Sequence, residues 1–309
     1  MHNSYSLLMI RPIAFNYNQQ TAEDNAFQTA PDATTSKSEI NTLAQQEFDE
    51  FVTRLRAHHV NLIEVQDTLE PHTPDSIFPN NWISVIPEGK LCLYPMYAQN
   101  RRDERKPNVI ESIKQQFDIT DNLDFSCYEK ENVFLEGTGS MILDHENKIA
   151  YACHSIRTDQ QLLDQWCNHY GYKAVGFDAT DMNNKDIYHT NVMMCLADTY
   201  AVICLESIKD IKQKELVIDK LIQTGKEIIE ISLEQMNKFA GNMLQVRDKL
   251  NKTHLVMSEQ AFNSLNNHQK QRLNALDHII HVPLYTIETN GGGSARCMMA
   301  EIHAKPKEA

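Results

Sequence analysis

The sequence has no long hydrophobic run, few glycines and prolines, and no paired-cysteine motif. Its apolar segments fall well short of the ~20 consecutive residues that a membrane-spanning helix needs. The first residues carry no basic segment ahead of their short apolar run, so we expect neither a signal peptide nor a membrane span. Only 10 glycines and 10 prolines occur in 309 residues, which excludes collagen-like and Pro/Gly-rich low-complexity architectures.

The seven cysteines are scattered and odd in number, and no two of them form a C-x-x-C pair. This pattern is typical of free thiols in a reducing compartment, so we expect a cytoplasmic protein without disulfides or a zinc–thiolate cluster. His278 and His281 stand three residues apart, but the sequence shows no supporting ligands beside them. We therefore predict no metal site there.

Positive charge is in deficit. Lys and Arg number 29 against 42 Asp and Glu, which gives a net charge of −13. An acidic surface repels phosphate backbones and anionic lipid surfaces, so we expect neither a nucleic-acid partner nor a membrane partner. The apolar fraction of 41% and the charged fraction of 23% are those of an ordinary globular chain, which argues against disorder.

Strand-like and helical segments recur in the order strand, strand, helix, strand. Apolar residues at helical spacing predict helices at 39–59, 106–117, 158–170, 209–224 and, with a break, 258–276. Strand pairs separated by turn residues are predicted at 82–86 with 90–94, 140–143 with 148–153, 191–196 with 200–205, and 242–246 with 253–257. One further strand follows each helix. The unit occurs four times at intervals of about 50–57 residues, a spacing typical of repeat architectures.

The two ends of the chain supply a fifth unit. Met298–His303 would be its first strand and Tyr5–Ile10 its second, followed by the helix at 39–59 and a strand at 60–65. Closure of a ring by both termini leaves no exposed terminal repeat. We therefore predict a single α/β domain over residues 1–309, with five ββαβ units around an axis. The alternative is an ordinary three-layer α/β sheet.

Residues 16–36 interrupt the repeat. The segment is polar and rich in Gln, Asn, Thr and Ala. Loops of about twenty residues are uncommon in compact domains and often act as lids. The sequence leaves two interpretations open, a lid loop and a plain surface loop.

The most distinctive local motif is a run of three glycines, residues 291–293, four positions before Cys297. Glycines allow a close approach between backbone and ligand, so the thiol is a candidate nucleophile, although a buried inert thiol fits the motif as well. Cys297 stands just before the first strand of its unit. In the other units this position holds His189, Glu136 and the segment from Asp75 to Asn81, and in a ring such positions meet at one end of the axis.

These motifs resemble the amidinotransferase, or pentein, superfamily of guanidino-group-modifying enzymes. The resemblance covers essentially the whole chain. It is carried by FPNNW at 78–82, LEGTGS at 135–140, YHTNVMM at 188–194 and GGGSARC at 291–297. The combination is most similar to the citrulline-utilisation hydrolase type, with arginine deiminase and dimethylarginine dimethylaminohydrolase as relatives. The resemblance implies a five-bladed α/β propeller of ββαβ units with pseudo-fivefold symmetry.

The resemblance also implies roles for individual residues. Cys297 matches the nucleophile, His189 the general acid/base and Glu136 the acidic residue of the EG motif. Asp75 matches the first aspartate of a D-x-V-F-x-x-D pattern.

Two arginines match on shorter motifs. Arg102 and Arg157 resemble arginines that hold the α-carboxylate of the substrate, and a role as surface arginines stays open for both.

Two departures from the family pattern concern the substrate. Asn81 and Asn191 stand where guanidinium-specific members carry acids. A guanidinium group requires carboxylate partners, whereas an amide offers a donor and an acceptor to a neutral ureido group. The resemblance therefore implies a cysteine-dependent hydrolase that converts citrulline to ornithine, carbon dioxide and ammonia through an S-carbamoyl intermediate, with no metal or organic cofactor. An arginine or methylarginine deiminase-type hydrolase, an amidinotransferase and a non-catalytic binding protein of this fold remain alternatives. The oligomeric state stays open, with a homo-oligomer as one outcome.

Overall fold

The computed structural model of the protein describes residues 6–32 and 34–308. Its strands form one six-stranded sheet and three three-stranded sheets. The strands are β1 (Ser6–Arg11), β2 (Leu62–Gln66), β3 (Ile83–Ile86), β4 (Lys90–Leu93), β5 (Asp121–Asp124), β6 (Ile142–Asp144), β7 (Ile149–Cys153), β8 (Lys173–Phe177), β9 (Met194–Leu196), β10 (Tyr200–Ile203), β11 (Glu227–Glu230), β12 (Leu244–Arg247), β13 (Thr253–Ser258), β14 (His278–Val282) and β15 (Ala300–Ile302).

The α-helices alternate with these strands. They are α1 (Lys37–Ala57), α2 (Gln99–Arg102), α3 (Pro107–Gln116), α4 (Gly137–Ser140), α5 (Gln160–Tyr170), α6 (Thr190–Met193), α7 (Ile211–Gln223), α8 (Leu233–Met236), α9 (Glu259–Ser264), α10 (Asn267–Leu276) and α11 (Tyr285–Gly291). None of the helices in the described ranges is long and apolar enough to cross a membrane.

The predicted order of strand, strand, helix and strand is confirmed in five units. In each unit an antiparallel pair of strands is followed by a helix and by a strand that lies parallel to the second member of the pair. The pairs are β3–β4, β6–β7, β9–β10, β12–β13 and β15–β1, and their parallel partners are β5, β8, β11, β14 and β2. The chain is therefore an α/β protein, and its described strands do not form the single continuous sheet of the three-layer alternative.

Strands from the two ends of the chain pair with each other. β15 lies antiparallel to β1, with Ser6 opposite Ile302, and parallel to β3, with Ile302 opposite Val85. Two units therefore share the six-stranded sheet. Tyr5, where the N-terminal strand is predicted to start, lies outside the described residues.

The main helices begin and end where local chemistry predicts. The side chain of Asp159 accepts a hydrogen bond from the Leu162 amide at the start of α5, and Gly171 (φ 73°) ends the helix in a left-handed conformation. One face of α5 is apolar and buries Leu162 and Trp166. The predicted break in the last long helix is real, since α9 and α10 are separate helices.

Short helical turns precede the first strand of four units and pack against one another. They are the 3₁₀ turn Pro79–Asn81, α4, α6 and the 3₁₀ turn Ala295–Met298. α4 contacts both the Pro79–Asn81 turn and α6, and the Pro79–Asn81 turn also contacts Ala295–Met298. The motifs singled out in the sequence are thereby brought together at one end of the units.

Candidate active site

Cys297 lies in the 3₁₀ turn that follows the glycine loop, and its side chain is buried. The loop has little space for side chains. A Cβ atom on Gly293 would lie 2.9 Å from the ring of Phe78 and 3.3 Å from the Cβ of Cys297. Gly292 adopts φ 64°, which ends α11 and turns the chain toward the cysteine.

Two amide groups surround the sulfur of Cys297. Asn191 Nδ2 lies 3.4 Å and Asn242 Nδ2 lies 3.3 Å from the Sγ atom. The orientation of Asn242 is fixed, because its Oδ1 accepts from the Arg296 amide at 3.0 Å and its Nδ2 donates to the Asn191 carbonyl at 2.8 Å. N–H groups directed at a sulfur stabilise negative charge on it.

Asn242 was not predicted from the sequence as a site residue. The residue precedes the first strand of its unit, as Cys297 and His189 precede theirs. Its equivalent position in the repeat could therefore have identified it. The predicted strand 242–246 includes Asn242, whereas β12 begins at Leu244.

His189 and Glu136 form a buried pair. His189 Nε2 lies 2.8 Å from Glu136 Oε2, and the second carboxylate oxygen accepts from the Tyr97 amide at 2.8 Å. An ionised carboxylate can only accept, so Nε2 carries the proton and Nδ1 is left as the basic nitrogen of a neutral ring. His189 also lines the cavity that holds Cys297.

The electrostatics of this pair follow from burial and from a neighbouring cation. Burial raises the pKa of Glu136, but the charge of Arg157 and the hydrogen bond from His189 outweigh it and leave the pKa at about 2. Burial also lowers the pKa of His189, and the contact with Glu136 only partly opposes this shift. The pair therefore consists of a carboxylate and a neutral imidazole at neutral pH.

Asp75 lines the same cavity and is fully buried. Its Oδ2 accepts from Asn18 Nδ2 at 2.7 Å and from the Thr21 hydroxyl at 3.3 Å. Its Oδ1 has no hydrogen-bond partner among the described residues. Burial raises the pKa of this carboxyl group, and the charge of Arg101 opposes the shift.

Asn81 is held in one orientation by a cation. Arg101 donates to Asn81 Oδ1 at 2.9 Å, and Glu104 holds the same guanidinium at 2.8 and 2.9 Å. Asn81 Nδ2 consequently points away from Arg101 and has no hydrogen-bond partner among the described residues. Asn191 Oδ1 also lacks a partner within these ranges. One buried donor and one buried acceptor are therefore left unpaired on these two amides.

The structure places Arg101, rather than Arg102, in the wall of the cavity. Arg102 donates to the carbonyl oxygens of Met96 and Tyr97 and lies 3.7 Å from Glu129. The two arginines are adjacent in the sequence, and only the direction of the short helix α2 decides which one faces inward.

Arg157 lies in the wall of the cavity and is 2% exposed. Its guanidinium makes a bidentate contact with Asp24, at 2.6 and 2.7 Å, and lies 3.5 Å from Glu136. It also lies over the ring of Tyr188, 5.0 Å from the ring centroid.

The segment 16–32 covers the cavity. Besides Asn18 on Asp75 and Asp24 on Arg157, the side chains of Asn25 and Gln28 donate to the carbonyls of Gly291 and Asn290. The remaining cavity has a volume of about 20 Å³, which is room for about one water molecule. A larger cavity of about 420 Å³ lies elsewhere and contains Arg296 and Glu301, but neither Cys297 nor His189 lines it.

A cysteine with N–H donors on its sulfur, a neutral histidine oriented by a carboxylate, and buried polar groups without partners suit covalent catalysis on a small polar substrate. The side chains of Cys297, His189, Asp75, Arg157 and Asn81 line one cavity. Glu136 orients the histidine, and Asn191 contacts the Cys297 sulfur without lining the cavity.

Comparison with known families gives one match over most of the chain. A family model described as N,N dimethylarginine dimethylhydrolase, eukaryotic, matches residues 11–304. No curated protein matches the chain by sequence.

Solved structures with the same fold include cyanobacterial and dimethylarginine enzymes. The N-terminal domain of ArgZ, an arginine dihydrolase from cyanobacteria solved with its substrate, superposes with a TM-score of 0.75 at 16% identity, over 97% of this chain and 99% of that domain. Unliganded AgrE gives a TM-score of 0.74 at 17% identity, over 98% of this chain and 40% of the AgrE chain. A dimethylarginine dimethylaminohydrolase adduct with S-methyl-L-thiocitrulline gives 0.66 at 12% identity, over 96% and 99% of the two chains.

Proposed function

The chain belongs to the family described as N,N dimethylarginine dimethylhydrolase, eukaryotic, within the pentein superfamily, and from this premise we propose that it hydrolyses the ureido group of citrulline. Members of the family are hydrolases of C–N bonds in guanidino-type groups. The products would be ornithine, carbon dioxide and ammonia. We also propose that the five units are arranged as a propeller. The residues just before the first strands of several units lie close to Cys297, and this supports the arrangement.

The reaction uses three side chains. His189 Nδ1 takes the thiol proton, and the Cys297 sulfur attacks the ureido carbon. The C–N bond to ornithine breaks, and His189 returns the proton to the departing amine. An S-carbamoyl enzyme remains. Water that gives its proton to His189 then attacks the carbonyl carbon, and the S–C bond breaks. His189 returns the proton to the Cys297 sulfur, and the released carbamic acid decomposes to carbon dioxide and ammonia. Glu136 holds the histidine in the tautomer that this sequence needs.

The observation that carries the substrate proposal is the unpaired Nδ2 of Asn81. Because Arg101 occupies Asn81 Oδ1, the amide presents a donor toward the cavity. A ureido group has a carbonyl oxygen that accepts such a bond, whereas a guanidinium has five N–H donors and no acceptor. The unpaired Oδ1 of Asn191 would accept from a ureido N–H.

Arg157 supplies the cation for the α-carboxylate of the substrate. The carboxylate of Asp24 already holds its guanidinium in the bidentate geometry that a substrate carboxylate would adopt. Arg101, next to the Arg102 of the sequence prediction, is the second cation in the cavity wall.

The segment 16–36 acts as the lid of this site. A cavity of about 20 Å³ cannot contain an amino acid, so the segment must move before a substrate enters. Its contacts with the cavity wall include hydrogen bonds, the ion pair of Asp24 with Arg157, and the ring of Phe27 against that of Tyr188. The reducing cytoplasm is the compartment we propose, and the seven free thiols support it.

A second candidate is hydrolysis of arginine, and Asp75 is the observation that favours it. Its Oδ1 is a buried carboxylate oxygen in the cavity wall without a partner among the described residues. A guanidinium group would supply that partner, as would the α-ammonium group of citrulline.

Product analysis distinguishes these candidates. The purified enzyme is incubated separately with citrulline, arginine and dimethylarginine, and ornithine, citrulline, ammonia and methylamines are quantified. We expect ornithine and ammonia in equal amounts from citrulline. Citrulline or dimethylamine as the accumulating product would refute the ureido proposal in favour of deimination. Added glycine that captures an amidino group would identify a transferase.

The nucleophile is tested with matched cysteine variants. Cys297→Ser removes the thiolate and should abolish turnover, whereas Cys127→Ser alters the exposed cysteine and should retain it. If Cys297→Ser keeps activity on every substrate, covalent catalysis at this residue is wrong. If no protein variant and no substrate gives turnover, the non-catalytic alternative stands.

A further inference from the structure

Three histidines from distant parts of the sequence lie together away from the active site. They are His58 at the end of α1, His254 in β13 and His278 at the start of β14. Each can present a ring nitrogen within 4.8 Å of the others. The ring centroids of His58 and His278 are 4.9 Å apart, and that of His254 is 5.5 Å from both.

The fold sets this arrangement in two ways. β13 and β14 are parallel neighbours, and His254 and His278 are direct partners in their register, so their side chains lie on the same face of the sheet. The end of α1 is tied to the hairpin between β12 and β13, because the Lys249 amide donates to the His59 carbonyl at 3.1 Å and Val60 bridges Asp248. His58 is thereby held near the pair.

His254 has the hydrogen bonding of a metal ligand. The residue is 3% exposed, and its Nε2 lies 3.0 Å from Asp248 Oδ2. Since the carboxylate accepts, Nε2 carries the proton and Nδ1 has a free lone pair. Nδ1 is buried and has no hydrogen-bond partner among the described residues. A histidine that donates its second ring N–H to a carboxylate is the usual arrangement in zinc sites.

We propose that His58, His254 and His278 bind a divalent transition metal ion of the zinc class, with Asp248 orienting His254. Three imidazoles suit zinc, cobalt, nickel and copper far better than magnesium or calcium. Asp248 is itself fixed, because its Oδ1 accepts from the amides of Leu250 and Lys252.

The geometry requires a modest contraction. Ligand nitrogens of a tetrahedral zinc ion lie about 3.3 Å apart, since each Zn–N bond is about 2.0–2.1 Å. His278 is exposed and His58 half-buried, so both rings can rotate toward Nδ1 of His254. Solvent on the exposed side supplies water as the fourth ligand. The positive charge of Lys252 acts on both His58 and His278 and disfavours binding of a cation there. The negative charge of Asp248 favours binding.

A bound ion would join the end of α1 to β13 and β14, which belong to a different unit. Metal binding to the folded state alone stabilises it by mass action. Zinc should therefore raise the melting temperature of the protein, and the rise should depend on the histidines.

The test measures zinc binding by competition with a chromogenic chelator and cobalt binding by its visible absorption. All proteins carry Cys297→Ser, so that the catalytic thiol cannot bind the metal. We expect one ion per chain, with a cobalt spectrum typical of tetrahedral coordination. His278→Gln should weaken binding at least ~10-fold, and Asp248→Asn by ~10–100-fold. His281→Gln, which changes another histidine of β14 outside the cluster, should leave the affinity unchanged.

Two results would overturn the proposal. One is the absence of stoichiometric zinc or cobalt binding by the parent protein. The other is binding that His278→Gln and His254→Gln both leave intact. Because His278 is exposed, its substitution tests the proposal even if His254→Gln fails to fold. Retained catalytic activity of His278→Gln in a protein that keeps Cys297 verifies folding independently.

Discussion

Asn81 shows how one side chain can define the polarity of a site. Its amide oxygen is engaged by Arg101, so its nitrogen is the group left to meet a ligand. An aspartate at this position would keep the contact with Arg101 and present an acceptor in place of the donor. In the proposed reaction, an Asn or an Asp at this position would therefore offer a different charge to the reacting group with almost the same shape.

Asn81→Asp should shift the preference of the enzyme from citrulline toward arginine. The expected change in the ratio of the two kcat/KM values is about one to two decades, because a charge-assisted contact of about 1–3 kcal/mol replaces a neutral one. Adding Asn191→Asp should shift the ratio further. Both kcat/KM values are measured on the same preparation, so that a smaller amount of folded protein affects both equally and leaves their ratio unchanged. A ratio that stays at its wild-type value in both variants contradicts the role of these amides.

Gly139 is a second residue whose size matters. A Cβ atom here would lie 2.2 Å from Asn81 Nδ2 and 2.9 Å from His189 Nδ1. Gly139→Ala should therefore displace both groups and lower kcat/KM by about 100-fold, the scale of a 1 Å misplacement of catalytic groups. Gly171→Ala is the control for loss of stability alone, since its positive φ of 73° strains an added Cβ but nothing lies within 4 Å of that atom. Equal activity of the two variants would show that the packing of Gly139 does not position the catalytic groups.

At the scale of elements, the segment 16–32 is held over the cavity by polar contacts and by the ring of Phe27, whose centroid lies 6.2 Å from that of Tyr188. The contact of Asp24 with Arg157 is bidentate and largely buried, whereas Asn18, Asn25 and Gln28 contribute single hydrogen bonds of 2.7 to 3.4 Å. In the lid movement proposed above, the ion pair and these hydrogen bonds would have to break.

Asp24→Asn should loosen the closed lid. Loss of the carboxylate charge weakens the contact with Arg157, and a change of about 1.4 kcal/mol would raise the opening constant roughly tenfold. Hydrogen exchange of the amides in 16–32, measured without substrate, should accelerate by that factor. Asp32→Asn, at an exposed position of the same segment, should leave exchange unchanged. If hydrogen exchange is equally fast in both variants, the contact of Asp24 with Arg157 does not hold the segment closed.

At the scale of the whole molecule, buried carboxyl groups determine how stability depends on pH. Glu301 resembles Glu136, because burial raises its pKa but Arg296 lowers it further, to about 2. Such groups stabilise the fold above pH 4.5 and lose this contribution as the pH falls toward 2. Glu288 behaves in the opposite way, since burial raises its pKa to about 7 despite hydrogen bonds from Ser258 and Ser294.

Glu288→Gln should make the protein more stable at alkaline pH. Between pH 4.5 and 7 the folded state binds a proton at Glu288 that the unfolded state has lost, so wild-type stability falls as pH rises. The variant does not lose stability in this way. Its free energy of unfolding should exceed that of the wild type by on the order of 1–3 kcal/mol at pH 8 and should equal it near pH 4.5. Urea unfolding at both pH values measures the difference, with the exposed Glu111→Gln as control. A gain that does not depend on pH would contradict the assignment.

The five-unit order of elements and most of the polar site residues could be predicted from the sequence. Turn residues, helix caps and apolar periodicity are local signals, and they placed the strand pairs and helices within a few residues of their observed bounds. The glycine loop and the repeat phase indicated Cys297, His189 and Glu136 as neighbours. Asn242 was missed because its strand begins two residues later than predicted.

Tertiary structure alone decided contacts that depend on direction and on distant partners. The turn of α2 places Arg101, and not Arg102, in the cavity wall, and the path of 16–32 brings Asp24 to Arg157. His278 and His281 indicated no metal site in the sequence, because no supporting ligands stand beside them. Strand register and the end of α1 instead bring His278 together with His58 and His254. Local secondary structure depends on neighbouring residues and can be predicted from them. Contacts between side chains of separate units depend on how the units pack.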